Sequence, residues 1–275
     1  MICIQIADVI LKKCILNLFS WYNSHMKKFL LIILTLICFA SYSQAKQILP
    51  AKIEENTITV TVTKTGDLGK NYFYCSNGNK CSTEQVVREY YKNKGYQVMR
   101  AEYSFWKGIF VLSFLDELYP QTLNSKSENK FFDTENKNVT NEELNQKLNL
   151  IKKSNIQLFI NNQITKHEKG SYIRWLDEWE IEGYKNPTEY FKSTIVQEFL
   201  AKINNKTFCK ILEHTIEIYN RNPVGTPDYI IWNEKEMIFI EVKRQKETLK
   251  LEQIEWGEFL IKNKIPYQVV RVIEK

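Results

Sequence analysis

Three charged residues in the C-terminal part of the chain have types and spacing that can support chemistry. Asp228 stands just before a short apolar run, and Glu241 and Lys243 stand at the end of a second one. Both runs are β-branched or aromatic and bounded by turn residues, so they predict two paired strands. Because side chains alternate along a strand, Glu241 and Lys243 share a face, and Asp228 can approach Glu241 across the pair.

This arrangement brings two carboxylates and one ammonium group to one place. Carboxylate oxygens, together with retained water, are the ligands that Mg²⁺ and Mn²⁺ prefer. A lysine beside them can orient a water or stabilise a phosphate. The spacing therefore predicts a site for Mg²⁺ or Mn²⁺ at Asp228 and Glu241, with Lys243 as the adjacent cation.

The same residues match the PD-(D/E)xK pattern of metal-dependent nucleases. After Lys243, a helix carrying Leu249, Gln253 and Trp256 and then a closing strand over residues 267–272 are predicted. That order resembles the VRR-NUC domain. Upstream, the sequence GYQVMRAEYSFWKGIFVLSFLDEL resembles the corresponding segment of the Fanconi-associated nuclease branch. The likeness extends over about residues 84–272.

The resemblance implies an α/β fold of the restriction-endonuclease type, with a small mixed central sheet flanked by helices. It implies hydrolysis of phosphodiester bonds in nucleic acid, with DNA the expected form. Glu102 is implied as a third acidic ligand, and Gln253 as a support for the site from its helix. In this interpretation the Val242 carbonyl completes the ligand set. The alternative for Glu102 is an ordinary acidic residue at a helix start, favoured by the helix dipole.

Basic residues follow the proposed site closely. Arg244, Lys246 and Lys250 surround it, and cations there would neutralise the backbone of a bound strand. The alternative is a solvated charged loop. The formal net charge of the 275-residue chain is +6, which is compatible with a polyanionic partner and does not prove one.

The upstream residues predict the elements that position the site. Alternation over residues 54–63, together with residues 71–75, predicts a small β appendage within residues 46–81. Ser82 and Gln85 form a capping-box pattern for a helix that ends near Gly95. An almost wholly apolar helix over residues 105–118 is expected to be buried. Residues 82–275 are expected to form the nuclease domain.

Residues 121–220 are expected to be an insertion in that domain. The pattern predicts helices near residues 142–151, over 188–202 and over 207–219, and a possible strand over 156–160. Aromatic residues mixed with charge over 172–190 are typical of a small helical core, although stacking on bases is the alternative.

The cysteine spacing predicts one disulfide, and the absence of other motifs limits the classes of function that the sequence allows. A turn-forming loop separates Cys75 from Cys81, so this pair is expected to form a disulfide in an oxidising compartment, with Cys209 a buried free thiol. Paired zinc-ligand spacings, a P-loop and a nucleophile elbow are all absent from the sequence. Two hypotheses remain, a metal-dependent nuclease and a non-catalytic nucleic-acid-binding module on the same fold.

The first 45 residues have the layout of a secretory signal peptide. Met26 begins a short basic segment, an apolar stretch follows over residues 29–40, and Ser43 and Ala45 are suitable for cleavage. The apolar stretch is shorter than the ~20 residues of a membrane span. Residues 1–25 then precede the true start, and an uncleaved N-terminal anchor is the alternative. The expected location is secreted or periplasmic, without a stable membrane span after cleavage.

Export gives the first prediction. The mature chain is expected to begin at or near Lys46, which lowers the formal net charge to +3, because the first 45 residues contain four lysines and one aspartate. N-terminal sequencing of the native protein checks this. An intact N-terminus at Met1 or Met26 would contradict it.

Overall fold

The computed structural model describes residues 51–62, 73–75, 78–118, 141–170, 183–184, 186–219 and 225–274. The signal-peptide prediction and most of the aromatic segment over 172–190 lie outside these residues. The described strands are β1 (Thr57–Val62), β2 (Phe73–Tyr74), β3 (Lys80–Cys81), β4 (Gln97–Arg100), β5 (Tyr229–Trp232), β6 (Met237–Arg244) and β7 (Tyr267–Glu274).

The described helices lie between these strands and on both faces of the sheet. They are α1 (Ala51–Glu55), α2 (Thr83–Asn93), α3 (Tyr103–Ser113), α4 (Leu115–Leu118), α5 (Asn141–Lys153), α6 (Ile156–Gly170), α7 (Pro187–Lys192), α8 (Thr194–Lys202), α9 (Asn205–Tyr219) and α10 (Leu251–Lys262). None of the helices in the described part of the chain is both long and apolar enough to cross a membrane.

A five-stranded mixed sheet with the order β1-β7-β6-β5-β4 forms the centre of the fold. β7 pairs in parallel with both β1 and β6, whereas β5 pairs antiparallel with β6 and β4. Helices cover both faces. The α/β class with a mixed central sheet flanked by helices, predicted from the sequence, is therefore confirmed.

The alternation of β6 separates an apolar face from a polar one, as the sequence predicts. Ile240 and Val242 are buried in the apolar cluster beneath α2, which contributes Val86, Val87 and Tyr91. Glu241 and Lys243 point to the opposite face, where Phe239 stacks on Trp106 of α3. Sheet and helices thus enclose the charged pair instead of leaving it in solvent.

The helix ends beside the sheet follow the sequence closely. Ser82 accepts a hydrogen bond from the Gln85 backbone at 3.2 Å, and the Gln85 side chain accepts one from the Ser82 N–H at 2.7 Å. This completes the predicted capping box of α2, and Gly95 follows the helix with a φ of +82°. The predicted apolar helix is buried too, although it is interrupted at Phe114.

The predicted β appendage is only partly correct. The strand over residues 57–62 belongs to the central sheet, because it pairs with β7 along its whole length from Thr57 to Val62. Only β2 and β3 form a separate two-stranded hairpin. The Cys75–Cys81 disulfide closes that hairpin with a Cα–Cα separation of 5.7 Å, and Cys209 is buried and free, as predicted.

Two predictions within residues 121–220 are wrong. The possible strand over 156–160 is the start of α6, in which Ile156, Ile160 and Ile164 recur every four residues on its buried face. The single helix predicted over 188–202 is divided at Ser193, whose backbone is extended with a ψ of 149°.

The helices within residues 121–220 supply part of the core. Phe199 of α8 and Phe208 of α9 are fully buried, and both rings lie within 6.3 Å of Trp106. In the described part of the chain, these helices therefore pack on α3 as a layer of the domain.

Gly257 gives a prediction about how α10 packs on the sheet. A Cβ there would lie 2.8 Å from Cε1 of the Tyr267 ring and 3.0 Å from Cδ1 of Ile53. Gly257→Ala is expected to destabilise the fold by about 1–3 kcal/mol, because the buried ring must shift. Denaturant unfolding measures this. Glu258→Ala, on the exposed side of the same helix, is the control and should change stability little. Equal effects of the two substitutions would contradict the prediction.

Candidate active site

The pairing of β5 with β6 brings Asp228 next to Glu241. Tyr229 pairs with Ile240, so one further step along each strand places Asp228 opposite Glu241. The Asp228 Oδ2 atom accepts a hydrogen bond from the Val242 N–H at 2.7 Å. The structure therefore places Asp228 beside Glu241, as the sequence pattern predicts.

Glu241 is almost completely buried, with 1% of its surface exposed. Its Oε1 atom accepts a hydrogen bond from Gln253 Nε2 at 2.6 Å and lies 3.1 Å from Lys243 Nζ. Burial raises the pKa of Glu241 well above its usual range, and the charge of Asp228 raises it further, while Lys243 acts in the opposite direction. The ionised carboxylate therefore needs nearby positive charge.

Asp228 shows the same effect. Burial raises its pKa to about 7, and the charges of Glu102 and Glu84 raise it further. The Val242 N–H and the Lys243 cation lower it. Two adjacent acids with raised pKa values are typical of functional sites, where a cation or a proton is needed between them.

Lys243 lies between two carboxylates and is 3% exposed. Its Nζ atom is 3.1 Å from Glu241 Oε1 and 3.5 Å from Glu247 Oε1. Sequence reasoning missed Glu247, because it follows the strand in a turn, where strand alternation predicts nothing. The turn itself is held by Arg271, whose Nη1 donates to the Glu247 carbonyl at 2.7 Å and the Arg244 carbonyl at 3.3 Å.

Gln253 reaches the site from the first turn of α10. Its Oε1 accepts a hydrogen bond from the Lys250 backbone N–H at 2.9 Å, which satisfies one donor at the helix start. Its Nε2 donates to Glu241. One amide thus ties the helix start to the buried carboxylate, and this agrees with the supporting position that the resemblance implies.

Tyr267 is a second residue that sequence reasoning missed. Its hydroxyl is buried and has no hydrogen-bond partner among the described residues. Burial raises the pKa of Tyr267, and the charges of Glu241 and Asp228 add to that effect. It pairs with Phe239 on the neighbouring strand and so lies on the same face of the sheet as Glu241.

Glu102 is close to this site but separate from it. It stands immediately before α3, and its carboxylate accepts hydrogen bonds from Arg100 Nε at 2.9 Å and Nη2 at 2.5 Å. Among the described residues, the three acids Glu102, Asp228 and Glu241 do not form a cluster with oxygens within 4.8 Å of one another. The predicted role of Glu102 as a third ligand therefore stays a prediction, as does that of the Val242 carbonyl.

The three basic residues predicted to bind nucleic acid lie in different settings. Arg244 donates from Nε to Thr83 Oγ1 of α2 at 2.9 Å, so it is anchored to the neighbouring helix. Lys246 and Lys250 are exposed on the segment between β6 and α10. The exposed lysines agree equally with a binding surface and with the alternative of a solvated loop.

The donor set suits a hard divalent cation. Both acids offer oxygen atoms, they are adjacent, and burial makes their shared negative charge costly without a cation. Among the described residues, the one group of three candidate ligands within 4.8 Å is Cys75, Cys81 and Glu89, whose cysteines are joined in the disulfide. Asp228 and Glu241 therefore remain the candidate metal ligands.

Comparison with known proteins agrees with the geometry. The VRR-NUC domain model matches residues 167–274. The Fanconi-associated nuclease 1 homolog of Schizosaccharomyces pombe is 24% identical over 217 residues, which cover 75% of this chain and 29% of that protein. The homolog of Arabidopsis thaliana is 23% identical over 223 residues, which cover 74% and 23%. The chain thus spans less than a third of the length of these relatives.

Solved structures show the same fold. The crystal structure of paFAN1 bound to a 2-nucleotide 5′-flap DNA with a gap has a TM-score of 0.60 and 16% identity, covering 80% of this chain and 38% of that one. Its complex with a 1-nucleotide flap has a TM-score of 0.52 and 17% identity. The sequence-based resemblance to the VRR-NUC domain and the Fanconi-associated nuclease branch is thereby confirmed.

The buried carboxylates give a stability prediction. With a raised pKa of about 7, the Asp228 carboxylate is ionised at pH 8 and destabilises the metal-free fold. Asp228→Asn keeps an acceptor for the Val242 N–H and removes the charge. It is expected to stabilise the metal-free protein at pH 8 by on the order of 1–3 kcal/mol. Thermal unfolding in EDTA measures the effect.

The control for this prediction is Glu255→Gln, an exposed change on α10 that should leave the unfolding temperature unchanged. Added Mn²⁺ should stabilise the wild type more than Asp228→Asn, because it binds the folded state preferentially. A metal-free Asp228→Asn protein that is less stable than the wild type would contradict the prediction.

Proposed function

We propose that this chain, which carries a VRR-NUC domain over residues 167–274, is a metal-dependent nuclease that hydrolyses phosphodiester bonds in DNA. The observation that carries the proposal is the group formed by half-buried Asp228 with buried Glu241 and Lys243, which Gln253 supports from α10. Such a charged cluster costs stability, and a purely structural role gives no reason to keep it.

Asp228 and Glu241 would hold Mg²⁺ or Mn²⁺ through their carboxylate oxygens. A divalent cation at this position supplies polarisation of the scissile phosphate and a water of lowered pKa. The Val242 N–H holds Asp228, and Gln253 holds Glu241, so both carboxylates are oriented before the ion binds. Outer partners of this kind typically tune metal affinity by 10–100-fold.

Lys243 would act on the phosphate side of the site. Its ammonium is already paired with Glu241 and close to Glu247, which restricts the positions that Nζ can occupy. From there it can orient the attacking water or offset the charge that develops on the phosphate oxygens. Preorganisation by two carboxylates means that little rearrangement is needed during the reaction.

The exposed cations beside the site support a nucleic-acid substrate. Lys246 and Lys250 lie on the segment that follows Lys243, where they can bind backbone phosphates. The choice of DNA, and of a flap among the substrates to test, rests on the structures of paFAN1 bound to 5′-flap DNA.

A non-catalytic nucleic-acid-binding module is the second candidate function. The observation that favours it is the pairing of Glu102 with Arg100, which keeps a third carboxylate away from the buried pair. Metal titration separates the two candidates, because binding by such a module does not require the divalent ion.

In either case, the layout of residues 26–45 supports a proposal of export, with a secreted or periplasmic site of action.

The test of the proposed function is a comparison of substitutions at the four charged residues. Asp228→Ala and Glu241→Ala are expected to lose both cleavage and Mn²⁺ affinity, because each removes a ligand. Lys243→Ala is expected to keep Mn²⁺ affinity while cleavage falls by ~10²–10³-fold. Glu102→Ala should resemble the first two if Glu102 moves onto the ion, and be mild if it stays with Arg100.

The measurements are cleavage of labelled linear, single-stranded and 5′-flap DNA with and without Mg²⁺, together with Mn²⁺ titration. Circular dichroism confirms folding of each variant. Lys250→Ala serves as a control that should weaken DNA binding without changing metal affinity. Wild-type cleavage by folded Glu241→Ala would end the nuclease proposal, and metal-independent DNA binding without cleavage would favour the binding module.

A further inference from the structure

We propose that Gly225 is a positioning residue, which seats the loop carrying Asp228 directly against the start of α10 and so sets the relative positions of Asp228 and Gln253. The inference rests on the proposed function, since the two side chains matter together only if Asp228 and Glu241 bind a metal ion. Gly225 lies three residues before Asp228 and has no side chain, so its effect is exerted through the backbone.

The contact is between two backbones. A Cβ on Gly225 would lie 2.6 Å from the carbonyl carbon of Glu252 and 2.8 Å from the backbone nitrogen of Gln253. It would also lie 2.7 Å from Cβ of Glu252. These atoms belong to the first turn of a helix and cannot rotate away as the end of a flexible side chain can. Any larger residue at 225 must therefore separate the loop from the helix.

Separation would be transmitted to both sides of Glu241. On the loop side, Thr226 and Pro227 are buried, and Pro227 restricts its own φ, so the loop has little freedom to absorb a shift before Asp228. On the helix side, the displaced atom belongs to Gln253, whose amide reaches Glu241 at 2.6 Å. The backbone contact at Gly225 thus affects the position of Asp228 and also the position of Gln253, which orients Glu241.

Gly225 differs from the other glycines with positive φ in the described residues. Its φ is +103°, and those of Gly78, Gly95 and Gly183 lie between +79° and +82°. A Cβ on any of these three would have nothing within 4 Å. At those positions glycine is needed only for its backbone conformation, whereas at 225 the conformation and the close approach are both required.

This difference provides matched controls. Gly95→Ala carries the strain of a positive φ without a steric contact, and Gly225→Ala carries both. Asparagine tolerates a positive φ better than alanine, so Gly225→Asn and Gly95→Asn reduce the strain while keeping a Cβ at each position. Comparing the four variants separates loss of stability from displacement of the site.

The experiment measures Mn²⁺ affinity by calorimetry, thermal stability in EDTA, and kcat and KM on labelled DNA for the full chain. Both Gly95 variants are expected to lose stability and keep wild-type Mn²⁺ affinity and kcat. The Gly225 variants are expected to lose about 10-fold or more in Mn²⁺ affinity and in kcat. KM for DNA measured at saturating Mn²⁺ should change less than kcat, because the substitutions displace the metal-binding groups and neither add nor remove a charge.

A further variant tests the route of the effect. If Gly225 acts through the start of α10, then Gly225→Ala combined with Gln253→Ala should lose less Mn²⁺ affinity than the product of the two separate losses. Full additivity of the two losses would overturn this route, and with it the proposal.

Three other results would overturn the inference. One is a folded Gly225→Ala or Gly225→Asn protein with wild-type Mn²⁺ affinity. Another is equal loss of affinity in the Gly95 variants, and the third is failure of both Gly225 variants to fold while both Gly95 variants fold. A wild type that binds Mn²⁺ without cleaving DNA would instead refute the proposed function and leave the positioning role intact.

Discussion

The structure depends on the placement of two carboxylates side by side, with Asp228 half-buried and Glu241 almost completely buried. Asp228 and Glu241 repel each other, and burial raises the pKa of both. The Val242 N–H, the Lys243 ammonium and the Gln253 amide partly offset that cost. These three groups come from one strand and one helix, so the site exists only if α10 packs at a fixed position on the sheet.

The surrounding elements maintain the position of β6 in the sheet and the position of α10 against it. β6 lies in the middle of the sheet, antiparallel to β5 and parallel to β7, and this position fixes Glu241 relative to both neighbours. Arg271 of β7 holds the turn that follows Lys243, while Gly225 and Gly257 let α10 approach the loop and the sheet closely. Small residues and backbone contacts thus define the depth at which Gln253 lies.

The site also has an excess of negative charge, which the described side chains only partly neutralise. Lys243 is the one ammonium group in contact with Glu241 among the described residues, and it is also close to Glu247. Glu102 adds negative potential from beside α3, although Arg100 binds its carboxylate. A site of this composition favours a divalent cation over a neutral ligand, which is why metal-dependent hydrolysis fits it better than acid–base chemistry by the side chains alone.

Local patterns in the sequence determined the parts of this protein that depend on neighbours in the chain. The capping box at Ser82, the alternation around Glu241 and the strand that follows Asp228 are specified by short segments, and the structure contains each of them. Tertiary structure decided the rest. The strand over residues 57–62 joined the central sheet because β7 offered a free edge, and residues 156–160 became helical because three isoleucines pack against other helices. The contacts of Gln253 with Glu241, of Arg271 with the Glu247 carbonyl and of Gly225 with α10 depend on distances set by packing, and no spacing along the chain encodes those distances.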